Sequence, residues 1–544
     1  MEGEFENMEG IPDILGQGKV VVELTPSLER FTDPESSDSN ALKQYLLQLL
    51  NDLIADLRIP VEISLHVKLG DDKNRFGINS YQVSVNDSKC RLQLPTILGQ
   101  DVQAKELAGS IVKVIHQNRD LFITIPLAEK IRKEWSSVSG ETDLMVWPEK
   151  GFPEFLSELV RRGFRIDRGK AIVQKSKDTG QNIWSAEECF EEAVSGFDTT
   201  IKVFFNQEGA KIQSPADKNS LEEMFDLMQD GLFYELGIIL PGVKIDTDES
   251  LDENEFRIQL NDLRSPPDQG PAQDEFLVND TSDRLFLLNL TGKKAVNPAN
   301  GTEGALVQDR NTALKICEKA GLTSWGPAGF VILALSSNVR RNAGNFLTTE
   351  ILKFSLDRLN EAFPDLVDTT LKRFDEVILT RILRDLLDEE LSIRDLRGIL
   401  EALLEVSGSS IDDQSKNLVS SPHILSLLRK SLDRYISNKC KTRDNTLVVY
   451  LLDKLIEKRI MQERLLNDEE RDRLIKAFFG EFGVLPVASQ NPIILTTLGV
   501  RKKLKNLIEK EFPRIFVLCY QELGPDLNIQ PIARITWDRR IGAM

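Results

Sequence analysis

The residues of this 544-residue chain best suited to chemistry are three histidines, five cysteines and a few acidic clusters, and their spacing argues against most of it. His66 falls in an alternating, strand-like run, His116 near a helix, and His423 directly after Pro422 at a helix start. None can be joined to a serine, cysteine or carboxylate as a nucleophile–base pair. Cys90, Cys189, Cys317, Cys440 and Cys519 are odd in number, far apart and never in a C-x-x-C. That pattern fits small buried thiols in a reducing compartment, not a disulfide frame or a zinc site. Asp246-x-Asp248-x-Ser250 opens like a calcium loop, but Leu251 stands where the loop needs glycine and Arg257 where it needs a bidentate glutamate. A solvated acidic turn between strands is expected there. LGQGKVV (15–21) has two glycines ahead of a strand, without the third glycine or the Gly-Lys-Ser/Thr of a phosphate loop. Asn279, Asn289 and Asn300 each begin a glycosylation triplet, yet the acidic start MEGEFENMEG is no secretory signal. The expectation is a protein without catalytic residues, cofactor or metal.

Composition points the same way. Apolar residues at 41 % and charged residues at 28 % are ordinary for a globular protein, and the length allows three or four domains. The net charge of −18 repels nucleic acid and anionic membrane. The basic run Arg501-Lys502-Lys503-Lys505 reads as a solvated helix face. No window approaches the ~18 continuous apolar residues of a spanning helix, and the longest apolar run, Phe330 to Leu335, is strand-sized. A cytoplasmic chain with no direct membrane span is expected.

The elements that position these residues show an internal repeat. A β-branched run at 18–23, a helix over 40–57, strand-like IPVEISLHVKLG (59–70), an acidic turn at Asp71-Asp72 and YQVSV (81–85) follow in order. The same plan returns as IKVFF (201–205), a helix over 220–236, ILPGVKI (239–245) and FRIQL (256–260). Pro60 matches Pro241 and Tyr81 matches Phe256. NRDLFIT (118–124) matches NAGNFLT (342–348), and LVRRGFRIDRGKAI (159–172) overlies LLDEELSIRDLRGI (386–399). The spacing jumps once, by about 50, at a Pro/Gly-rich insert over 262–310 that contains the strand-like run LFLLNL (285–290). The expected fold class is α+β, multidomain, with mixed short sheets, many helices and a tandem duplication. Its parts are a tail at 1–17, a shortened first module at 18–195, a fuller second module at 198–410 and a C-terminal α/β domain at 411–544. That last part opens with helices near 422–437 and 446–463, then a helix near 497–511 and the strand IFVLCY (515–520).

One stretch carries more than its pattern. In LSIRDLRGILEALLE (391–405), Ile393, Leu396, Ile399, Leu400, Leu403 and Leu404 share one helix face. Ser392 and Asp395 form a capping-box-like start, and Gly408 is a plausible stop. The wording IRDLRGILEAL, with Ile393, Arg394, Asp395, Leu396 and Arg397 at its head, resembles the signature of the flagellar and type III secretion export-gate family (FHIPEP) in its cytoplasmic domain. PGVKIDTDESLDENEFRIQLN (241–261), the segment 320–367 and FPRIFVLCYQELGPDLNIQPIARI (512–535) resemble further family segments in the right order, so the likeness covers roughly 198–544.

The resemblance implies a ring-forming homo-oligomer, typically of nine subunits, with a groove between subdomains for protein clients or their chaperones. Asn345, Phe346, Leu347 and Thr348 match the groove region, although the bland reading of Phe346 and Leu347, as simple core residues, is the stronger one. Ala334-Leu335-Ser336 stands where the family often has Thr-His-Leu, so any role of that histidine is lost. The family's multi-helix membrane domain has no counterpart here, so a separate membrane export component is the implied partner, with the chain peripheral at the inner face of the membrane. The competing expectation is a stand-alone cytoplasmic scaffold or regulator that kept the fold without export.

Overall fold

The structure, a computed structural model, describes residues 15–537 apart from 71–79, 91–101, 139–150, 171, 173–185, 196, 207–214, 310–311, 409–421, 443, 463–465, 483–491, 510 and 513–514. The expected tail over 1–14 and the turn at Asp71-Asp72 lie outside the described residues.

Alternation sets the first sheet. In β1 (Gly16–Leu24), Val20, Val22 and Leu24 are fully buried on one face. Helix α1 (Ser37–Leu57) starts at Ser36, whose hydroxyl accepts from the Asp38 N–H at 3.2 Å, and stops at Arg58 in the left-handed region (φ 54°). β2 (Val61–Leu69) then lies parallel to β1, while β3 (Tyr81–Val85) and β4 (Ser88–Lys89) continue the sheet antiparallel, in the order β2-β1-β3-β4. Helices α2 (Ala104–Gln117), α3 (Ile125–Val138), α4 (Phe152–Arg161) and α5 (Ala186–Val194) share one hydrophobic core with this sheet.

The plan returns with β5 (Ile201–Phe205), α6 (Pro215–Leu236), β6 (Val243–Thr247) and β7 (Glu255–Leu260). β5 is again parallel to the strand after its helix and antiparallel to the next, and β8 (Leu263–Arg264) and β9 (Asp268–Gln269) both pair with β7. The acidic turn expected at 246–253 joins β6 to β7, but it is not wholly solvated: Asp248 pairs with Arg257 at 3.3 Å and Asp252 with Lys105.

The insert is a small sheet of its own, displaced along the chain from the expected 262–310, since 263–269 pairs with β7 and the separate sheet runs over 275–325. It holds β10 (Glu275–Val278), α7 (Ser282–Phe286), β11 (Gly292–Val296), β12 (Glu303–Gln308), α8 (Ala313–Lys319) and β13 (Ser324–Trp325) in the strand order β11-β12-β10-β13. The strand expected at 285–290 is instead the end of α7 and a turn. Thr281 caps that helix by accepting from the Arg284 N–H at 3.4 Å, so Leu285 turns inward while Phe286 and Leu287 face solvent. A helical segment follows: α9 (Pro327–Arg341), α10 (Thr349–Ala362), α11 (Pro364–Arg373), α12 (Glu376–Asp388) and α13 (Leu396–Gly408).

The C-terminal part contains α14 (Pro422–Ser431), α15 (Asp433–Cys440), β14 (Thr446–Leu452), α16 (Lys454–Met461), α17 (Asp468–Phe482), β15 (Ile493–Thr496), α18 (Leu498–Ile508), β16 (Phe516–Cys519) and β17 (Asn528–Ile535). Its strands are all parallel, in the order β16-β15-β14-β17. The helix expected over 446–463 is thus a strand followed by a helix. Thr446 to Leu452 is rich in β-formers and sits in the middle of the sheet, with Leu447, Val449, Tyr450 and Leu452 buried.

The chain divides into two compact units, Met1–Asp226 with Leu240–Gly270, and Leu227–Ile239 with Pro271–Met544. These units do not follow the repeat boundaries. The sheet of β5–β9 belongs with the first module, to which ion pairs tie it.

Candidate functional site

The second unit holds a cleft of about 1280 Å³. One wall is the inserted sheet, at Asn279–Thr281, Arg284 and Asn300–Glu303. The opposite wall comes from α15, α18 and β16, and the floor from the ends of α6, α9 and α12. Charges of both signs line it beside Leu322, Ile493, Phe516 and Val517.

The floor is fixed by ion pairs. Arg340 reaches Glu235 with Nε and Nη2 at 3.0 and 2.9 Å, a fork-to-fork pair joining α9 to α6. Deeper, two arginines and two glutamates form a closed quartet. Arg429 donates to Glu522 at 2.7 and 3.0 Å and to Glu389 at 2.6 Å, while Arg501 donates to Glu389 at 2.8 Å and its Nε lies 3.2 Å from Glu522. Glu522 is fully buried and Arg429 and Arg501 are 1 % exposed, so Arg501 leaves the solvated face expected of the basic run, while Lys503 remains exposed. Burial works to raise the Glu389 carboxyl, but Arg429 and Arg501 outweigh it and hold that group below its ordinary value. Burial depresses the Lys505 and Lys439 ammonium groups against the pull of Glu390. Burial pushes the Cys440 thiol up to about 11, which disfavours the thiolate a nucleophile requires. Arg429 and Lys439 stand 6.0 and 5.4 Å from the centre of the Phe516 ring. Among the described residues no group of three or more His, Cys, Asp or Glu is placed to hold a metal. Such a surface is suited to holding an extended or folded polypeptide through mixed charges and a few apolar contacts.

Cys440 and the basic residues Arg501 and Lys505 line this cleft, whereas the signature residues Ile393–Arg397 and the groove-matching residues Asn345–Thr348 lie outside its lining. Helix α13 begins at Leu396, later than the spacing suggests, because Asp395 and not Ser392 caps it, accepting from the Gly398 N–H at 3.0 Å. Ser392 accepts from the Arg394 N–H at 3.2 Å instead. The Ile393 N–H donates to the Leu236 carbonyl at 2.8 Å, and Arg394 lies over the Tyr234 ring at 4.9 Å. Gly237 makes this approach possible: its φ is +78°, and a Cβ there would lie 2.3 Å from the Arg394 nitrogen. Arg397 pairs with Glu401 at 2.8 Å on the outer face. The signature segment thus fixes the end of α6, which carries Glu235. Asn345, Phe346, Leu347 and Thr348 are all buried, at 8, 1, 4 and 8 % exposure. Thr348 caps α10 by accepting from the Ile351 N–H at 3.3 Å, and Arg384 donates to the Gly344 and Leu347 carbonyls at 3.1 and 2.8 Å. In this structure those four residues pack and cap. The quartet went unread in the sequence because its members lie far apart, although Glu522 stands inside a segment that carried the resemblance and Glu389 inside one that carried the internal repeat. Nor was the cleft itself legible there.

Comparison with known proteins gives a consistent picture. The model of the FHIPEP family matches residues 159–528. The low calcium response locus protein D of Yersinia pestis is 25 % identical over 375 residues, covering 67 % of this chain and 51 % of that protein. The flagellar biosynthesis protein FlhA of Bacillus subtilis is 24 % identical over 331 residues, covering 58 % of this chain and 47 % of that one. The chain therefore spans about half the length of the curated relatives it matches. Among solved structures, the Chlamydia pneumoniae CdsV protein is 29 % identical with a TM-score of 0.56, covering 62 % of this chain and 98 % of that one. The same protein in complex with CdsO matches at 28 % identity and a TM-score of 0.55, covering 63 % and 99 %. Among the described residues no helix is long and apolar enough to cross a membrane.

Proposed function

The chain belongs to the FHIPEP family, and from that premise we propose that it is a docking component of a type III-type or flagellar-type protein export machine. The cleft receives an export client or a chaperone–client pair by binding and without catalysis. Copies of the chain close into a ring, which a heterologous contact forms when its rotation divides the full turn without a rise along the axis. The ring works at the inner face of the membrane against a separate membrane export component. The observation that carries this reading is the cleft itself, a volume of about 1280 Å³ walled by an inserted sheet and a C-terminal domain. A relative solved in complex with another protein, CdsV with CdsO, supports a partner-binding role. Within that role Ile393–Arg397 hold the α6 end in place, and the turn at Asn345–Thr348 supports α10 from inside.

The test is site-specific photo-crosslinking in cells that run the export machine. A benzophenone residue at Thr302 or Lys441, both on the cleft wall, is expected to capture chaperones or clients, and one at the exposed Asp87 is not. Equal capture at Asp87, or none from either cleft position, would overturn the reading. Light scattering across concentration tests the ring, which a strict monomer would rule out.

A further inference from the structure

The first module repeats the second down to single atoms. The last residue of each first strand faces an aromatic residue on the antiparallel neighbour, Leu24 with Tyr81 and Phe205 with Phe256. Asn86 and Asn261 both sit in the left-handed region, at φ 48° and 55°, at the tip of the following hairpin. Each accepts at Oδ1 from a backbone N–H of the first strand or its entry, Lys19 at 3.0 Å and Thr200 at 3.1 Å. Asn118 (φ −117°, ψ 23°) and Asn342 (φ −113°, ψ 21°) make the same break after their helices. The Phe164 N–H donates to the Leu159 carbonyl at 2.9 Å as the Leu391 N–H does to Leu386 at 2.8 Å. These matches, side-chain hydrogen bonds among them, go beyond what a shared strand–helix–strand topology requires.

We propose that residues 16–172 are a tandem copy of 201–399 whose corner has become a receptor, in cis, for the hairpin tip between β7 and β8. The tip reads Asn261-Asp262-Leu263-Arg264. Arg264 donates to Asp56 on α1 through Nε at 2.9 Å and Nη2 at 2.7 Å, and its N–H does so at 3.1 Å. Asp262 accepts from Arg168 at 2.6 and 2.7 Å and from the Arg165 N–H at 3.0 Å. Leu263 presses on Gly163 (φ +79°), where a Cβ would come within 3.2 Å of its side chain. The corner is therefore a glycine socket between the Asp56 carboxylate, the Arg168 guanidinium and the Arg165 backbone N–H, and it fits an Asp–apolar–Arg β-turn.

The other copy lacks these features at the matching places. Glu235 stands for Asp56 but is taken by its own Arg340. Glu390, also left-handed at φ 56°, replaces the glycine, and Asp395 replaces Arg168, putting a carboxylate where the guanidinium would stand. Conversely, the first copy's own tip, Asn86-Asp87-Ser88-Lys89, keeps the acid and the cation but is exposed over Asp87–Lys89. Receptor and ligand are thus assigned in one direction only. This inference stands independently of the export reading.

The experiment is a charge-swap cycle on the full chain, read by hydrogen exchange at the amides of Leu263 and Ser265, the latter donating to the Ile258 carbonyl at 2.7 Å across the hairpin and not to the swapped carboxylate. Asp56→Arg or Arg264→Asp alone is expected to lower protection by about tenfold or more, and the double swap to restore it to within about threefold of the parent. Lys89→Asp, at the matching but exposed tip, is expected to change nothing. A double swap no better than the single variants, or a Lys89→Asp effect as large as that of Arg264→Asp, would overturn the proposal. Should a reversal prevent folding, Arg264→Gln serves. Raising salt from 0.05 to 0.5 M should then loosen the tip of the parent several-fold and that of the variant clearly less, the Arg168–Asp262 pair being all that remains to be screened, and equal salt sensitivity in both would count against the proposal.

Discussion

Replacing Glu522 by Gln tests whether the buried quartet holds the C-terminal domain together. The carboxylate is fully buried and accepts from Arg429 at 2.7 and 3.0 Å and from the Cys519 N–H at 3.1 Å, with the Arg501 Nε at 3.2 Å. The amide keeps the shape but leaves two buried guanidinium groups sharing Glu389 alone, with an NH2 turned toward N–H donors. Breaking a buried pair from one side costs about 3–5 kcal/mol, because the remaining charge is stranded away from water. An exposed pair such as Arg397–Glu401, with both side chains about half exposed, contributes only about 0.3–0.5 kcal/mol. At about 2–8 °C per kcal/mol for domains of this size, the melting transition should fall by roughly 10 °C or more. Urea unfolding followed by the fluorescence of Trp537, which packs on the C-terminal core, reads the midpoint. The charge-free quadruple Glu389→Gln, Arg429→Met, Arg501→Met, Glu522→Met should recover much of the loss, since removing all the charges leaves none stranded. A Glu522→Gln cost below about 1 kcal/mol, or one no larger than that of Arg397→Ala, would refute the reasoning.

Three further outcomes are expected. Gly237→Ala should cost at least about 2 kcal/mol, from left-handed strain and collision with the Arg394 backbone, and should unlock the signature segment as increased amide exchange at Ile393. Phe346→Ala should cost about 3–5 kcal/mol in denaturant unfolding, as a fully packed core position does; a near-neutral result would return Phe346 to the candidate contact residues. Burial acts to raise the Glu158 carboxyl, but Arg162 and Arg161 override it and bring it down to about 2 from 4.5. A depressed carboxylate contributes its stability above the unfolded value and loses it as pH falls through the folded one, so this contribution should fade between about pH 4.5 and 2. Comparing the pH dependence of stability with that of Glu158→Gln isolates it, and identical acid limbs would contradict the assignment.

Much of this protein was decided by sequence alone. Alternating β-branched residues set β1 and β5, the spacing of apolar residues set α1 and α13, and the wording around Ile393–Arg397 pointed to the family, because periodicity and local wording are properties of neighbouring residues. Where two local forces compete, the sequence misled: LFLLNL yielded to the Thr281 cap, and Thr446–Leu452 became a central strand because its neighbours β15 and β17 offer hydrogen-bond partners on both sides. The tertiary structure alone decided that Glu389, Arg429, Arg501 and Glu522 meet, that Phe346 faces inward, and that Arg264 finds Asp56. These contacts join residues tens to hundreds of positions apart, and burial, which turns a charge from a solubilising group into one that must be paired, is fixed only once the chain has folded.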